Sequence, residues 1–259
     1  MKKLFAAGCS FTHGHWADVM FSGAAHNFTQ QYKEYSIERY NYGKSSWPWK
    51  LQHRFSTVIN AGLAGGSQQA ITRNTLRFLD QVKHELDDWV FVIQCTAPER
   101  TEYLDSYAGY HWNTVCFAQD PDTKQVDLSG WEYNPSVGYD YLIQVTDPVA
   151  QLNRFFTSLL LLTSVLDQHG VKYVVTGMSA HYPDRLLQME YGDTVDADNQ
   201  TLANLINTQH FIESVDTSPV LNTKDASPQW YDKCGHPNMT GHSVIAKYIY
   251  SKLTEKGYV

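Results

Sequence analysis

A chain of 259 residues, 42% hydrophobic and 18% charged, is long enough to bury a substantial core as one large domain. Its 27 acidic residues against 20 basic ones leave a net charge of −7 with no basic patch, which speaks against nucleic-acid binding. The four cysteines, Cys9, Cys95, Cys116 and Cys234, show no CxxC spacing and read as reduced thiols rather than a disulfide or zinc framework.

The chain opens on Met1–Thr12, MKKLFAAGCSFT. Two lysines followed by Ala-Ala-Gly-Cys imitate a lipoprotein leader, but the apolar stretch Leu4–Ala7 is far shorter than the ~7–15 residues such a leader needs. The segment reads instead as a buried first strand, Lys3–Ala7, with no signal peptide. A cytoplasmic or otherwise soluble protein is expected, with association to a virion as the alternative setting. Residues 13–55 follow as a long, polar, aromatic excursion. A second apolar run, Thr57–Asn60, leads into helical spacing over Ser67–Leu86, where Ile71, Leu76, Leu79, Val82 and Leu86 share a face and Ser67 can cap.

Trp89–Gln94 is the third strand, and 99–146 a second excursion rich in Tyr, Trp, Asp and Pro. Pro148–His169 is periodic in Leu and Phe and closed by Gly170. Its apolar centre, Leu159–Leu162, is bracketed by Asn153, Arg154 and Asp167, too closely for a membrane span of ~20 residues. Val171–Thr176 gives the fourth strand, Asn199–Glu213 a helix, Pro219–Leu221 a weak strand, and Met239–Leu253 the final helix.

Continuous rather than alternating hydrophobicity marks strands buried on both faces, hence a parallel sheet. Strand–helix alternation in this order predicts an α/β fold, a three-layer α/β/α sandwich with a mainly parallel, flavodoxin-like sheet and right-handed crossovers. Both excursions, at about 13–55 and 99–146, leave from carboxyl ends of strands, so they are expected to overhang a site there as a lid or substrate wall. Neither reads as a domain of its own, so 1–259 is expected to be one domain.

Four stations at those strand ends carry chemistry. The first is Gly8-Cys9-Ser10-Phe11-Thr12, a strand that stops at a glycine and presents a small nucleophile. The second is the glycine-rich turn Asn60-Ala61-Gly62-Leu63-Ala64-Gly65-Gly66-Ser67. The third is Gln94-Cys95-Thr96-Ala97-Pro98-Glu99-Arg100. The fourth is Asp232-Lys233-Cys234-Gly235-His236-Pro237-Asn238, just before the last helix. Serine first and Asp/His last suggests a hydrolase. The second station lacks both the Gly-x-Gly-x-x-Gly order and the lysine of a phosphate loop. His13, His15 and Asp18 do not make a metal set, and His242 reads as a packing residue of the last helix. No metal and no cofactor is expected.

In order and spacing along the whole chain, these stations resemble the SGNH hydrolase superfamily of GDSL-like esterases, lipases and carbohydrate acetylesterases. The resemblance implies that Ser10 is the nucleophile and His236 the base, with Asp232 orienting the His and Asp225 as fallback. It implies oxyanion donors from the backbone of Ser10 and Gly65, five residues after Asn60, with Asn60, Thr96 and Arg100 as further oxyanion or substrate contacts. Two departures stand out. The family's late Asp lies three residues before its His, where this chain has Lys233, and Asp232 is one residue farther. No asparagine follows the third strand, so the oxyanion hole is either two-membered or rebuilt.

The implied activity is removal of an acetyl or short acyl group, without metal, from a small-molecule or carbohydrate ester. The acidic, aromatic-rich excursions (14% aromatic over the chain) suit a sugar better than a nucleic acid or a lipid. An acyltransferase would use the same acyl-enzyme, resolved by an alcohol instead of water. The reading from another class is a non-catalytic SGNH-like binding or structural protein, for instance of a phage particle or surface assembly, which the missing asparagine motivates. Oligomeric state has no signature in the sequence.

Overall fold

The computed structural model describes residues 1–14, 46–63, 66–98, 100–105, 111–116, 118–119, 126–127, 147–177, 196–212 and 236–259. Strands β1 (Lys3–Gly8), β2 (Thr57–Gly62) and β3 (Trp89–Gln94) come first, followed by β4 (Arg100–Asp105) and β5 (His111–Cys116), the short β6 (Ala118–Gln119) and β7 (Val126–Asp127), and β8 (Lys172–Thr176). The helices are α1 (Ser10–His13), α2 (Trp47–Lys50), α3 (Gln68–Val82), α4 (Pro148–Gln168), α5 (Ala197–Leu205) and α6 (Met239–Glu255).

The central sheet has the order β2-β1-β3-β8, with every pairing parallel. All six residues of β3 are buried, as a strand covered by helices on both faces must be. Side chains alternate between two cores. On one face Phe5, Ile59, Phe91, Ile93 and Val175 meet the inner faces of α3 and α4. There Phe5 stacks on Phe78 with ring centroids 4.2 Å apart. On the other face Leu4, Ala6, Val90, Val92 and Val174 pack with Trp47 of α2 and with Ile245, Ile249 and Leu253 of α6. This is the expected three-layer α/β/α sandwich.

Helix boundaries follow their caps. Ser67 Oγ accepts from the Ala70 N–H at 3.0 Å and starts α3. Asp147 Oδ1 accepts from the Val149 N–H at 3.1 Å and starts α4, with proline at its first position. Gly170, at φ +64°, closes α4. By length and composition Val149–Gln168 is apolar enough to cross a membrane. Its Leu152, Phe155, Phe156, Leu159, Leu162 and Leu166 are buried in the core, which accounts for that apolarity. Cys9 and Cys95 are buried thiols.

Four expectations change. The helix over Ser67–Leu86 ends at Val82, and Leu86 lies in a short 3-10 turn, Leu86–Asp88, that leads into β3. The helix expected over Asn199–Glu213 runs from Ala197 to Leu205. Phe211 then bridges to Val175 and the Ile212 N–H donates to Val175 O at 2.9 Å, so the chain is drawn out alongside β8. The excursion at 99–146 is partly regular, because β4 and β5 pair as an antiparallel hairpin. The excursion at 13–55 includes α2, which packs on α6. The weak strand Pro219–Leu221 lies outside the described residues, as do most of the two segments expected to form the lid.

The order β2-β1-β3 reverses the direction of winding at β1, so the crevice between the carboxyl ends of β1 and β3 is the switch point where open α/β sheets hold ligands. Ser10 lies two residues past the end of β1.

Candidate active site

Ser10 is held from both neighbouring strands. Cys9 caps α1 in extended conformation and accepts from the N–H groups of Thr12 and His13 at 3.0 and 2.9 Å. Thr12 Oγ1 donates to Gln94 Oε1 at 2.5 Å, tying α1 to the end of β3. On the other side the Leu63 N–H donates to Gly8 O at 2.8 Å, extending the pairing of β2 with β1 into the loop. Asn60 Nδ2 donates to Thr12 O and to Ser46 Oγ, both at 3.0 Å, and its Oδ1 accepts from the Gly62 N–H at 3.0 Å. The side-chain hydrogen bonds among these are all buried, where bonds that are left unmade cost most. Ser10 therefore sits on a braced turn.

His236 arrives from the other end of the chain. Asn238 Oδ1 accepts from the N–H groups of Thr240 and Gly241 at 2.9 and 3.0 Å, the cap that starts α6. The rigid helix start fixes the two preceding residues. His236 Nε2 lies 2.9 Å from Ser10 Oγ, across 226 residues of sequence. Phe11 packs against the imidazole with ring centroids 5.3 Å apart. Ser10 is 3% exposed and Nδ1 of His236 is buried, while the Oγ–Nε2 contact itself is part-buried. A neutral imidazole with its hydrogen on Nδ1 accepts the serine hydroxyl at Nε2. That is the geometry from which a base removes the proton of a nucleophile.

Behind this pair lies His242. It is fully buried, and its Nδ1 accepts from the Trp47 N–H at 3.3 Å. Burial first, then the neighbouring charges of Lys50 and His236, push its pKa down to about 3. The unfolded chain takes up that proton near pH 6.5, the folded one only near pH 3, so stability falls as pH drops through that window. Between pH 7 and pH 4.5 this one group is expected to cost on the order of 2–3 kcal/mol. Urea midpoints of wild type and His242→Asn at the two pH values test it. An equal loss in both proteins would show that His242 is not the source.

The third station differs in kind. The Cys95 N–H donates to Thr176 O at 2.8 Å, and the chain then leaves the sheet. The Thr96 N–H donates to the side-chain Oε1 of Gln68 at 3.4 Å. Thr96 Oγ1 and Arg100 Nη1 are buried and have no hydrogen-bond partner among the described residues, and Thr96 is only 2% exposed. A loop that ends with buried, unspent donors stands out, because native proteins leave few of them.

The structure thus brings Ser10 together with His236 and places Thr96 and Arg100 at the adjacent strand end. Asn60 has its carboxamide bonded to Thr12, Ser46 and Gly62. Gly65, Asp232 and Asp225 lie outside the described residues. The sequence assigns no role to Gln68, Gln94 or Ser46. Each is a polar residue whose only distinction is burial, and burial at a helix start or strand end leaves no mark in the local pattern.

No family model matches the chain, and no curated protein matches it. Solved structures do. They include the psychrotrophic esterase EstA from Pseudoalteromonas sp., at 12% identity over 98% of each chain with a TM-score of 0.49. The acetylxylan esterase Axe2 from Geobacillus stearothermophilus matches at 14% identity over 97% of this chain and 94% of that one, with a TM-score of 0.45. A G-D-S-L-family protein from Desulfitobacterium hafniense matches at 11% identity over 97% and 99%, with a TM-score of 0.39.

Proposed function

We propose that this chain is a divergent SGNH-type serine esterase that removes an acetyl or short acyl group from a small ester. The observation that carries the reading is the 2.9 Å approach of His236 Nε2 to Ser10 Oγ at the switch point of the sheet. Ser10 Oγ attacks the ester carbonyl carbon as its proton passes to His236 Nε2, and the carbonyl π pair moves onto oxygen. Collapse of that tetrahedral oxyanion expels the alcohol, which takes the proton from Nε2. Water then repeats the sequence on the acyl-serine, with His236 again removing and returning one proton.

Asp232, with Asp225 as the alternative, supplies the carboxylate that holds the imidazole tautomer. The oxyanion takes hydrogen bonds from the Ser10 N–H, which as the first residue of α1 has no intrahelical acceptor, and from the Gly65 N–H. Thr96 Oγ1 lies ready as a further donor, and Arg100 supplies positive charge nearby. Tyrosine and tryptophan, concentrated in the stretches at about 13–55 and 99–146, suit an acylated sugar as substrate, since aromatic faces pack against sugar rings.

A fluorophosphonate probe tests this reading. Wild type is expected to label stoichiometrically, and Ser10→Ala not at all, while both melt at similar temperatures. Folded wild type that resists the probe throughout pH 6–9 would instead support the non-catalytic reading, in which the same scaffold only binds or assembles. Acetate release from aryl acetates and acetylated sugars then ranks the substrates.

A further inference from the structure

Among the described residues, three buried donors without acceptors lie around the loop that follows β3: Thr96 Oγ1, Arg100 Nη1 and Gln68 Nε2. Gln68 is the most informative of them. It is the first residue of α3 and is 1% exposed. Its amide orientation is determined by chemistry, because only the carbonyl oxygen can accept the Thr96 N–H that meets it at 3.4 Å. The NH₂ group is thereby left as the free end, with two hydrogens and no partner. Leaving such a group unpaired in a protein interior costs about 1–3 kcal/mol. A buried donor without a partner calls for an explanation, and a ligand atom that completes it is one.

Topology says where the gap lies. Gln68 stands at the end of the β2–α3 loop, and Thr96 stands past the end of β3. Between β2 and β3 in the sheet is β1. Gln68 and Thr96 thus stand on either side of β1, after whose carboxyl end Ser10 begins α1. Thr12 Oγ1, bonded to Gln94 Oε1, joins α1 to the end of β3.

We infer that Gln68 is a catalytic residue of this site, its Nε2 donating to the ester carbonyl oxygen as it becomes the oxyanion. It thereby supplies, from the residue just after the second station, the carboxamide that the third station lacks. The inference rests on the serine-esterase reading above. It answers whether the oxyanion hole is two-membered or rebuilt: it is rebuilt, with the Thr96 N–H aiming the amide. The ligand chemistry is an acyl carbonyl that gains negative charge, and the donor is worth most at the transition state, when that charge is largest.

Two substitutions separate donation from mere support. Gln68→Glu keeps an oxygen to accept the Thr96 N–H but removes the NH₂. Gln68→Met keeps the length of the side chain and removes both. Assays with an aryl acetate are run at about pH 9.5, above the range to which burial raises a carboxyl group. Both variants are expected to lose about 10²–10³ in kcat with KM changed less than about threefold, and to react with the fluorophosphonate more slowly by a similar factor. If Gln68→Glu keeps kcat within about threefold of wild type while Gln68→Met falls, Gln68 serves only to hold Thr96 and the proposal is overturned. Near-wild-type rates in both overturn it as well. In either case Ser10-dependent labelling of wild type leaves the esterase reading standing, whereas its absence removes both. Thermal melts of the two variants show whether a lost rate reflects a lost fold; where Gln68→Glu does not fold, a near-wild-type rate in Gln68→Met, which buries no charge, still overturns the proposal.

Discussion

His236→Ala is expected to lower ester hydrolysis by about 10⁴-fold or more, and Ser10→Ala by a similar factor. The double variant is expected to be no worse than either single one. This non-additivity follows from the 2.9 Å contact. A serine hydroxyl without a base is a poor nucleophile, and a base without the hydroxyl has nothing to activate, so removing either group removes the shared step. Whatever rate survives comes from binding and from the oxyanion donors, which all three variants retain. If the two single losses multiply in the double variant, the residues act separately and the proposed pair is wrong. A rate in His236→Ala equal to wild type would assign the base elsewhere. Phe11 gives a check on folding that is independent of activity. It loses the imidazole it packs against in His236→Ala, so a small drop in melting temperature accompanies the kinetic loss without explaining its size.

How much of this was legible in the sequence depended on which force shaped each segment. The central strands β1, β2, β3 and β8 lie between helices, and only continuous apolar runs such as Val90–Ile93 survive there. They were therefore readable within one or two residues. The caps Ser67, Asp147 and Asn238 are set by local hydrogen bonding, and local rules locate such starts. Where long-range pairing decided, the pattern misled. Ile206, Phe211 and Ile212 extend a helical period past Leu205, yet they serve the core through an extended segment held to Val175. The β4–β5 hairpin has no Asn-Gly or Asp-Gly between its strands, so the strongest hairpin signal was missing.

The site divides in the same way. Ser10 and His236 were visible because a small nucleophile after a strand and a histidine before a helix are rare in combination and carry their chemistry in their side chains. Gln68 was invisible, since a glutamine in the first turn of a helix is ordinarily solvated. Only the neighbouring strand end, folded over it, turns that amide into a buried donor. Asn60 was visible by its position. It stands beside the glycine-rich turn that marks a site, while its three short hydrogen bonds spend it on the scaffold.

That scaffold is where a single methyl group should do most harm. Gly62 ends β2, and a Cβ placed there would stand 2.3 Å from the His13 nitrogen, 2.7 Å from its Cα and 2.7 Å from the Thr12 carbonyl carbon. All three are backbone atoms of α1, so no rotamer change relieves the clash. Either β2 or α1 must shift, and α1 carries Ser10. Overpacking of this kind costs about 1–3 kcal/mol or more, and at this chain length about 2–4 °C of melting temperature goes with each kcal/mol. Gly62→Ala is therefore expected to melt about 5–10 °C lower and, because a misplacement of ~1 Å can cost 10²-fold, to lose about that much in kcat. Gly170→Ala provides the contrast. Gly170 has open space around its missing Cβ but a φ of +64°, so alanine there pays about 1–2 kcal/mol of backbone strain at the end of α4, remote from Ser10. It should melt lower with kcat unchanged. If the two alanines lower kcat alike, the loss in Gly62→Ala reflects general destabilisation; if only Gly62→Ala loses rate, the close approach of β2 to α1 sets the position of the nucleophile.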